Sequence, residues 1–283
     1  MVWRVTCTNT NRKQVNVSMS RPGLKLFLRG DVINMSNFKR EADSYTVNNR
    51  TLGLELFRRR KAVLDDGCCP ELVKGARFDG VLEVPFIEKP SKIVIPKEII
   101  PFSCRNRVGL NYKEAAIGFY EKDINFAEVL VSPEGFVDDF ARFYAIISPD
   151  CSLYRDATLS AQITNVYRNR AIGSFYQRQG LYVIPQVRWG SEETYTKKVL
   201  PEKVAFLGIE KYSIVAIGTY GCIRHKDDKY HFEAGLESML CSLEPVVVLV
   251  YGAMPNDVFG SYLRYTKFVQ YDNWTKKMHG GNN

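Results

Sequence analysis

The sequence predicts an α/β fold: a mostly parallel sheet of about six βα units, as an open sheet or an incomplete barrel, with a basic N-terminal extension. Three observations lead there. From residue 114 onward, six short apolar runs alternate with helical or loop segments. Runs such as Val246 to Tyr251 (VVVLVY) are apolar at every position, which suits strands covered on both faces. The charge is lopsided: residues 1–75 hold 14 Lys and Arg against 7 Asp and Glu, while residues 76–283 hold 25 against 24.

Taken in order, residues 1–75 are a basic N-terminal region. They contain an alternating run, Lys25-Leu26-Phe27-Leu28, a helical pattern over Leu52 to Leu64, and a turn at Asp65-Asp66-Gly67. Residues 76–113 are extended and pack on the body, because Pro85, Pro90, Pro96 and Pro101 forbid a long helix. Residues 114–283 form the α/β domain. Its strands are expected at Ala115 to Tyr120, Phe143 to Ile147, Leu181 to Val187, Ser213 to Gly218, Val246 to Tyr251 and Phe268 to Tyr271. The strongest helix runs from Leu159 to Gln179 and stops at Gly180. Helical periodicity also runs from Phe126 to Phe140, broken at Ser132-Pro133, from Phe232 to Leu243, and over Val258 to Tyr265.

With 45% hydrophobic and 25% charged residues, the chain has a globular composition, not a disordered or collagen-like one. No apolar run reaches about 18 residues, and the first residues show no signal-peptide core, so a cytoplasmic protein without membrane association is expected. The 7 cysteines are irregularly spaced and odd in number, which argues for reduced thiols. Cys222, His225, His231 and Cys241 match no standard zinc spacing.

Parallel-sheet proteins place their sites at the C-terminal strand ends. Here those ends offer Glu121, Asp123, Asp150, Arg188, Trp189, Thr219, Tyr220, Tyr251, Asp272 and Asn273. Asp150, with Asp123 or Glu121, supplies carboxylates for proton transfer or for Mg²⁺; the metal itself is not fixed by any motif. Arg170 falls on the core stripe of the long helix, centred on Ile163, and either pairs with a strand-end carboxylate or binds an anion. Arg168 and Asn169 are expected to face solvent. Asp156 reads as a helix cap or first-turn acid. Arg170 and Arg188 would hold phosphate, Trp189 and Tyr220 would stack a base, and Thr219, Tyr251 and Asn273 complete the binding set. Cys151 and Cys222 are candidate nucleophiles, with inert buried thiols as the plainer reading. The run Arg58-Arg59-Arg60-Lys61 is the candidate nucleic-acid contact, and a solvated helix face is its bland counterpart.

The stretch FYAIISPDCSLYRDATLSAQITNVYRNRAIGSFYQRQGLYVIPQVRWG, with VPFIEKP upstream and SIVAIGTYGC, FEAGLESMLCSLEP and VVVLVYGAMP downstream, resembles a domain-of-unknown-function family of bacteria, phages and mobile elements. The resemblance covers roughly residues 80–275 and leaves the basic segment outside. It implies a prokaryotic or viral setting and carries no reaction. Two readings follow. In one, the protein binds or processes nucleic acid or nucleotides, with metal-assisted catalysis as an option. In the other, it is a non-enzymatic accessory or host-interaction protein that binds nucleic acid or a protein partner.

Overall fold

The computed structural model describes residues 70–223 and 225–274, and the backbone of four short strands nearer the N-terminus. The chain divides into two units, Met1–Leu64 and Asp65–Asn283. In the first, β1 (Arg4–Val5), β2 (Val15–Ser18), β3 (Lys25–Leu28) and β4 (Asp31–Ile33) form an antiparallel sheet in chain order. The alternating run at 25–28 is therefore a strand. The helical pattern at 52–64, the turn at 65–67 and the run Arg58 to Lys61 lie outside the described residues.

The second unit opens with a small antiparallel pair, β5 (Phe78–Asp79) and β6 (Val84–Pro85). Seven parallel strands follow: β7 (Glu98–Pro101), β8 (Ala115–Gly118), β9 (Ala145–Ile147), β10 (Val183–Ile184), β11 (Ile214–Gly218), β12 (Val247–Tyr251) and β13 (Lys267–Tyr271). Helices fill the crossovers. α1 (Ala127–Val131) and α2 (Val137–Phe140) follow β8, and α3 (Leu159–Arg178) follows β9. α4 (Glu192–Tyr195) follows β10, α5 (Lys226–Leu243) follows β11, and α6 (Asn256–Phe259) follows β12. No helix among the described residues is long and apolar enough to cross a membrane.

Each strand lies beside its chain neighbour. The sheets β7-β8-β9-β10 and β11-β12-β13 are bridged at Gln186 and Ala216, where Val187 N–H donates to the Ala216 carbonyl at 2.8 Å and Ala216 N–H to that of Pro185 at 3.0 Å. An open doubly wound sheet reverses its strand order; a barrel does not. Side chains from all seven strands also meet in one cluster, including Ile99, Ala116, Ile147, Ile184, Ala216, Leu249 and Tyr271. Alternate residues such as Ile117, Ile146, Val215 and Val248 pack outward under helices and loops. The architecture is thus α/β, with two parallel sheets in chain order that wrap, barrel-like but unclosed, around one shared cluster. The β7 and β13 edges are not paired with each other; Tyr271 Oη donates to the Pro96 carbonyl at 2.6 Å.

Seven parallel strands stand against the about six expected, the additional one, β7, being supplied by the proline-rich segment. Pro101 is tolerated there because β7 ladders to β8 alone and ends at the proline. α5 begins six residues before its apolar pattern, since its first turn (Lys226-Asp227-Asp228-Lys229) is charged throughout. α3 ends at Gly180, whose φ of +83° is the left-handed turn expected there.

The buried face of α3 differs from the hydropathy reading. Gln162, Val166, Asn169, Arg170, Ala171, Ile172, Gly173, Ser174 and Tyr176 are its buried residues, so Asn169 is buried at 3% exposure and not solvated. The buried face mixes Gln162, Asn169, Arg170 and Ser174 with apolar residues, so apolar periodicity alone does not place it. Asp156 is exposed and does not cap α3; Thr158 occupies the cap position.

Candidate functional site

β9 ends in Ser148-Pro149-Asp150, and β10 runs into Pro185-Gln186-Val187-Arg188. Their parallel pairing brings Asp150 beside Arg188. Arg188 Nε donates to Asp150 Oδ1 at 2.5 Å and its NH2 reaches Oδ2, a two-pronged ion pair. Gln186 Nε2 adds a third bond to Oδ1 at 2.6 Å. Burial pushes the Asp150 carboxyl above the usual carboxylate range, and the Arg188 guanidinium pulls against it. Burial pulls on Arg188 too, but the Asp150 charge and its hydrogen bonds outweigh that and hold the guanidinium charged.

The pair is anchored from behind by a buried polar chain. Gln186 N–H donates to Ser148 Oγ at 2.8 Å, and Ser148 Oγ donates to Asn169 Oδ1 at 3.0 Å. Asn169 Nδ2 donates to the Pro149 carbonyl at 2.5 Å and to Gln186 Oε1 at 3.3 Å. Arg170 sits deeper, at 2% exposure. It donates to the carbonyls of Leu207, Gln186 and Ala205 at 2.9, 2.8 and 3.0 Å, and to Asn169 Oδ1. It is a structural arginine, but its partners are carbonyls and an amide, not a strand-end carboxylate. Every side chain in this chain has a partner, as burial demands.

In front of Arg188 lies a cavity of about 280 Å³, between the ends of β10 and β11 and the first turns of α5. Arg188, Trp189, Gly218, Tyr220 and Cys222 line it from the strand ends. Tyr154 and Arg155 line it from the loop before α3, and Asp228, His231 and Phe232 from α5. Arg155 NH2 pairs with Asp228 at 3.0 Å, and His231 Nδ1 shares a 2.9 Å hydrogen bond with Tyr195 Oη. Trp189 is wedged against α5: its ring lies 5.2 Å from Phe232, and a Cβ at Gly235 would collide with the indole. Arg188 NH1 contacts Cys222 Sγ at 3.8 Å. Burial raises the Cys222 thiol, with Arg188 opposing, so the sulfur is held protonated at neutral pH. Cys151 is raised further by burial and by Asp123 and Asp150, which makes it a packing residue.

Of the residues expected from sequence, Arg188, Trp189 and Tyr220 meet in this cavity, with Asp150 directly behind. Thr219 and Tyr251 are buried and outside the cavity lining. Tyr251 stacks on Tyr120 at 4.6 Å with planes 9° apart and accepts a hydrogen bond from Trp274 N–H at 2.9 Å. Tyr120 packs against Gly218, where a Cβ would stand 2.8 Å from its ring. The buried hydroxyls of Tyr120 and Thr219 have no hydrogen-bond partner among the described residues. Asn273 is half-buried after β13 and outside the cavity lining.

Asp123 and Glu121 are spent elsewhere. Asp123 accepts from Ser152 N–H at 3.1 Å and Ser152 Oγ at 2.6 Å; Glu121 accepts from Ser103 N–H at 2.9 Å and Asn125 Nδ2 at 3.2 Å. Both tie down loops, and among the described residues no three His, Cys, Asp or Glu side chains converge as a metal-ligand set. Tyr120 and Gln186 were not singled out from the sequence, and Asn169 was expected to face solvent. Each had one available signal, a polar residue next to a strand end or on a core-facing helix position.

The arrangement is suited to binding. It offers a guanidinium with one edge fixed and one edge facing the cavity, exposed tyrosine rings at the mouth, and a protonated thiol. No solved structure matches the chain. Two proteins of mycobacteriophages do: the Gene 1 protein of Mycobacterium phage D29 is 34% identical over 139 residues, 49% of each chain, and that of Mycobacterium phage L5 is 32% identical over 139 residues, 49% of this chain and 58% of that one. This chain therefore matches about half the length of these curated relatives. The described barrel coincides with the match to one family model, which spans residues 76–272, and the chain belongs to that family, the domain of unknown function DUF4417.

Proposed function

We propose that this phage-related protein binds nucleic acid or nucleotides, and that the cavity in front of Arg188 receives a single nucleotide unit. The observation that carries this reading is the meeting of Arg188, Arg155, Tyr154, Trp189 and Tyr220 around one small cavity at the C-terminal end of a parallel, barrel-like wall of strands. A volume of about 280 Å³ suits a mononucleotide-sized ligand or one unstacked residue of a strand, not a duplex. Asp150 serves this site by fixing the orientation of Arg188. A metal-assisted reaction would need carboxylates that the fold has already committed to Arg188, Ser152, Ser103 and Asn125.

The test is fluorescence anisotropy with labelled single- and double-stranded DNA and RNA and with labelled nucleotides, at two salt concentrations, with and without Mg²⁺. Binding that Asp150→Asn weakens supports the reading. Unchanged affinity in that variant, for every ligand bound, removes the cavity from the function.

A second reading rests on the excess of 14 basic over 7 acidic residues in positions 1–75. There the basic segment grips a phosphate backbone and the protein is an accessory factor without catalysis. Changing Arg58, Arg59, Arg60 and Lys61 together to Gln would then flatten the salt dependence of binding by up to about four counterions, while Asp150→Asn would have no effect.

A further inference from the structure

Among the described residues, two arginines line the cavity before Arg188's strand end, Arg188 itself and Arg155, and each is already matched by a carboxylate. Arg188 gives Nε and NH2 to Asp150, and Arg155 gives NH2 to Asp228 at 3.0 Å and NH1 to the Asp227 carbonyl at 3.4 Å. No lysine is among the described residues that line it. A phosphate entering this space would meet the Asp228 carboxylate on the wall and the Asp150 carboxylate behind Arg188. It would have to draw a guanidinium off its partner to gain a full charge contact. An uncharged ligand incurs no such repulsion.

Arg188 brings hydrogen-bond donors to this cavity. Arg188 NH1 carries two N–H groups, and its contact is a thiol sulfur at 3.8 Å, a weak acceptor. A carbonyl oxygen or ring nitrogen is the matching partner, the same pairing by which arginine reads base edges. The mouth adds π faces: Tyr154 and Tyr220 line the cavity while remaining 67% and 65% exposed. Exposed aromatic rings beside a donor edge favour a flat heterocycle that stacks and accepts.

From this juxtaposition we infer that the cavity recognises the uncharged base of a nucleoside, through the NH1 edge of Arg188 and the rings of Tyr154 and Tyr220. Any attached phosphate stays in solvent. The inference rests on the nucleotide reading above and narrows it to recognition by the base.

Titration calorimetry on the full chain separates the two. Adenosine, guanosine, cytidine, uridine and thymidine would each be compared with its 5′-monophosphate, with inorganic phosphate as competitor, at about 50 and about 300 mM salt. At least one nucleoside should bind, and its monophosphate should bind within about threefold of it. Affinity should change less than about twofold across the salt range, and phosphate should not compete. Arg188→Lys, which loses the planar fork, should weaken binding about tenfold. Tyr154→Ala and Tyr220→Ala alter exposed side chains and leave the core intact; each should weaken binding about fivefold or more. A monophosphate binding more than about tenfold tighter than its nucleoside, with phosphate competing, overturns the inference and leaves the nucleotide reading standing. Nucleoside binding indifferent to both tyrosine variants places the ligand elsewhere and also overturns it. Absence of binding by every nucleoside and monophosphate overturns the nucleotide reading itself, and this inference with it.

Discussion

The two flanks of the barrel are held by different physics. Outside β7 and β8, the packing is aromatic. Phe102, Phe119, Phe126, Phe136 and Phe140 meet in ring contacts of 5.3–6.1 Å, and Tyr176 joins them 5.3 Å from Phe140. Between α3 and the β9–β10 strands the packing is polar, through Ser148, Asn169, Arg170 and Gln186. Apolar contacts are non-directional, so the aromatic flank tolerates a change of shape. A buried hydrogen-bonded chain has one arrangement that satisfies every member, and it penalises any loss. The rigid flank is the one that carries the site: Asp150 and Arg188 are its last two links.

The largest test of this contrast is Arg170→Met, which keeps volume but strands three backbone carbonyls, those of Leu207, Gln186 and Ala205. It should cost about 4 kcal/mol in urea unfolding. Asp150→Asn should follow, at about 3 kcal/mol, because it leaves the Arg188 charge unmatched in a largely buried place; a cost below about 1 kcal/mol would mean that the pair is open to solvent. Phe140→Leu, on the aromatic flank, should cost only about 1 kcal/mol. If it costs as much as Arg170→Met, the two flanks are equally specific and the contrast fails.

The smallest effect is a pH dependence at the seam between β7 and β13. Burial pushes the Tyr271 hydroxyl up to about 12 from an ordinary value of 10.0. Its folded-state value is the higher one, so its contribution is fully present below pH 10 and is lost as pH climbs toward 12. Alkaline unfolding of Tyr271→Phe, followed by circular dichroism, should therefore fall less steeply across that window than that of the parent chain. Parallel curves would show that Tyr271 ionises as freely in the folded chain as in the unfolded one.

The apolar strands were legible because burial on both faces leaves no ambiguity: Val246 to Tyr251 and Ser213 to Gly218 lie where β12 and β11 are. β7 was harder to place, because Pro96 precedes it and Pro101 ends it, and prolines mark the segment as extended without telling which residues pair. The buried side of α3 was hidden for another reason. Four of its buried residues are Gln162, Asn169, Arg170 and Ser174, and polar burial of this kind is licensed by partners far away in sequence, such as the Leu207 carbonyl for Arg170. The candidate site was half legible. Strand-end position brought forward Asp150, Arg188, Trp189 and Tyr220, while nothing local tells that Asp123 serves Ser152 and that Gln186 serves Asp150.

The strand order also bears on how the barrel comes into being. Each parallel strand lies beside the one made just before it, from β7 to β13. A sheet of this kind can grow at a single advancing edge while the ribosome is still adding residues, since no strand waits for a partner from the far end of the chain. The contact across the seam is different. Tyr271 and Pro96 are 175 residues apart, and their hydrogen bond belongs to the end of synthesis, after the rest of the wall has been laid.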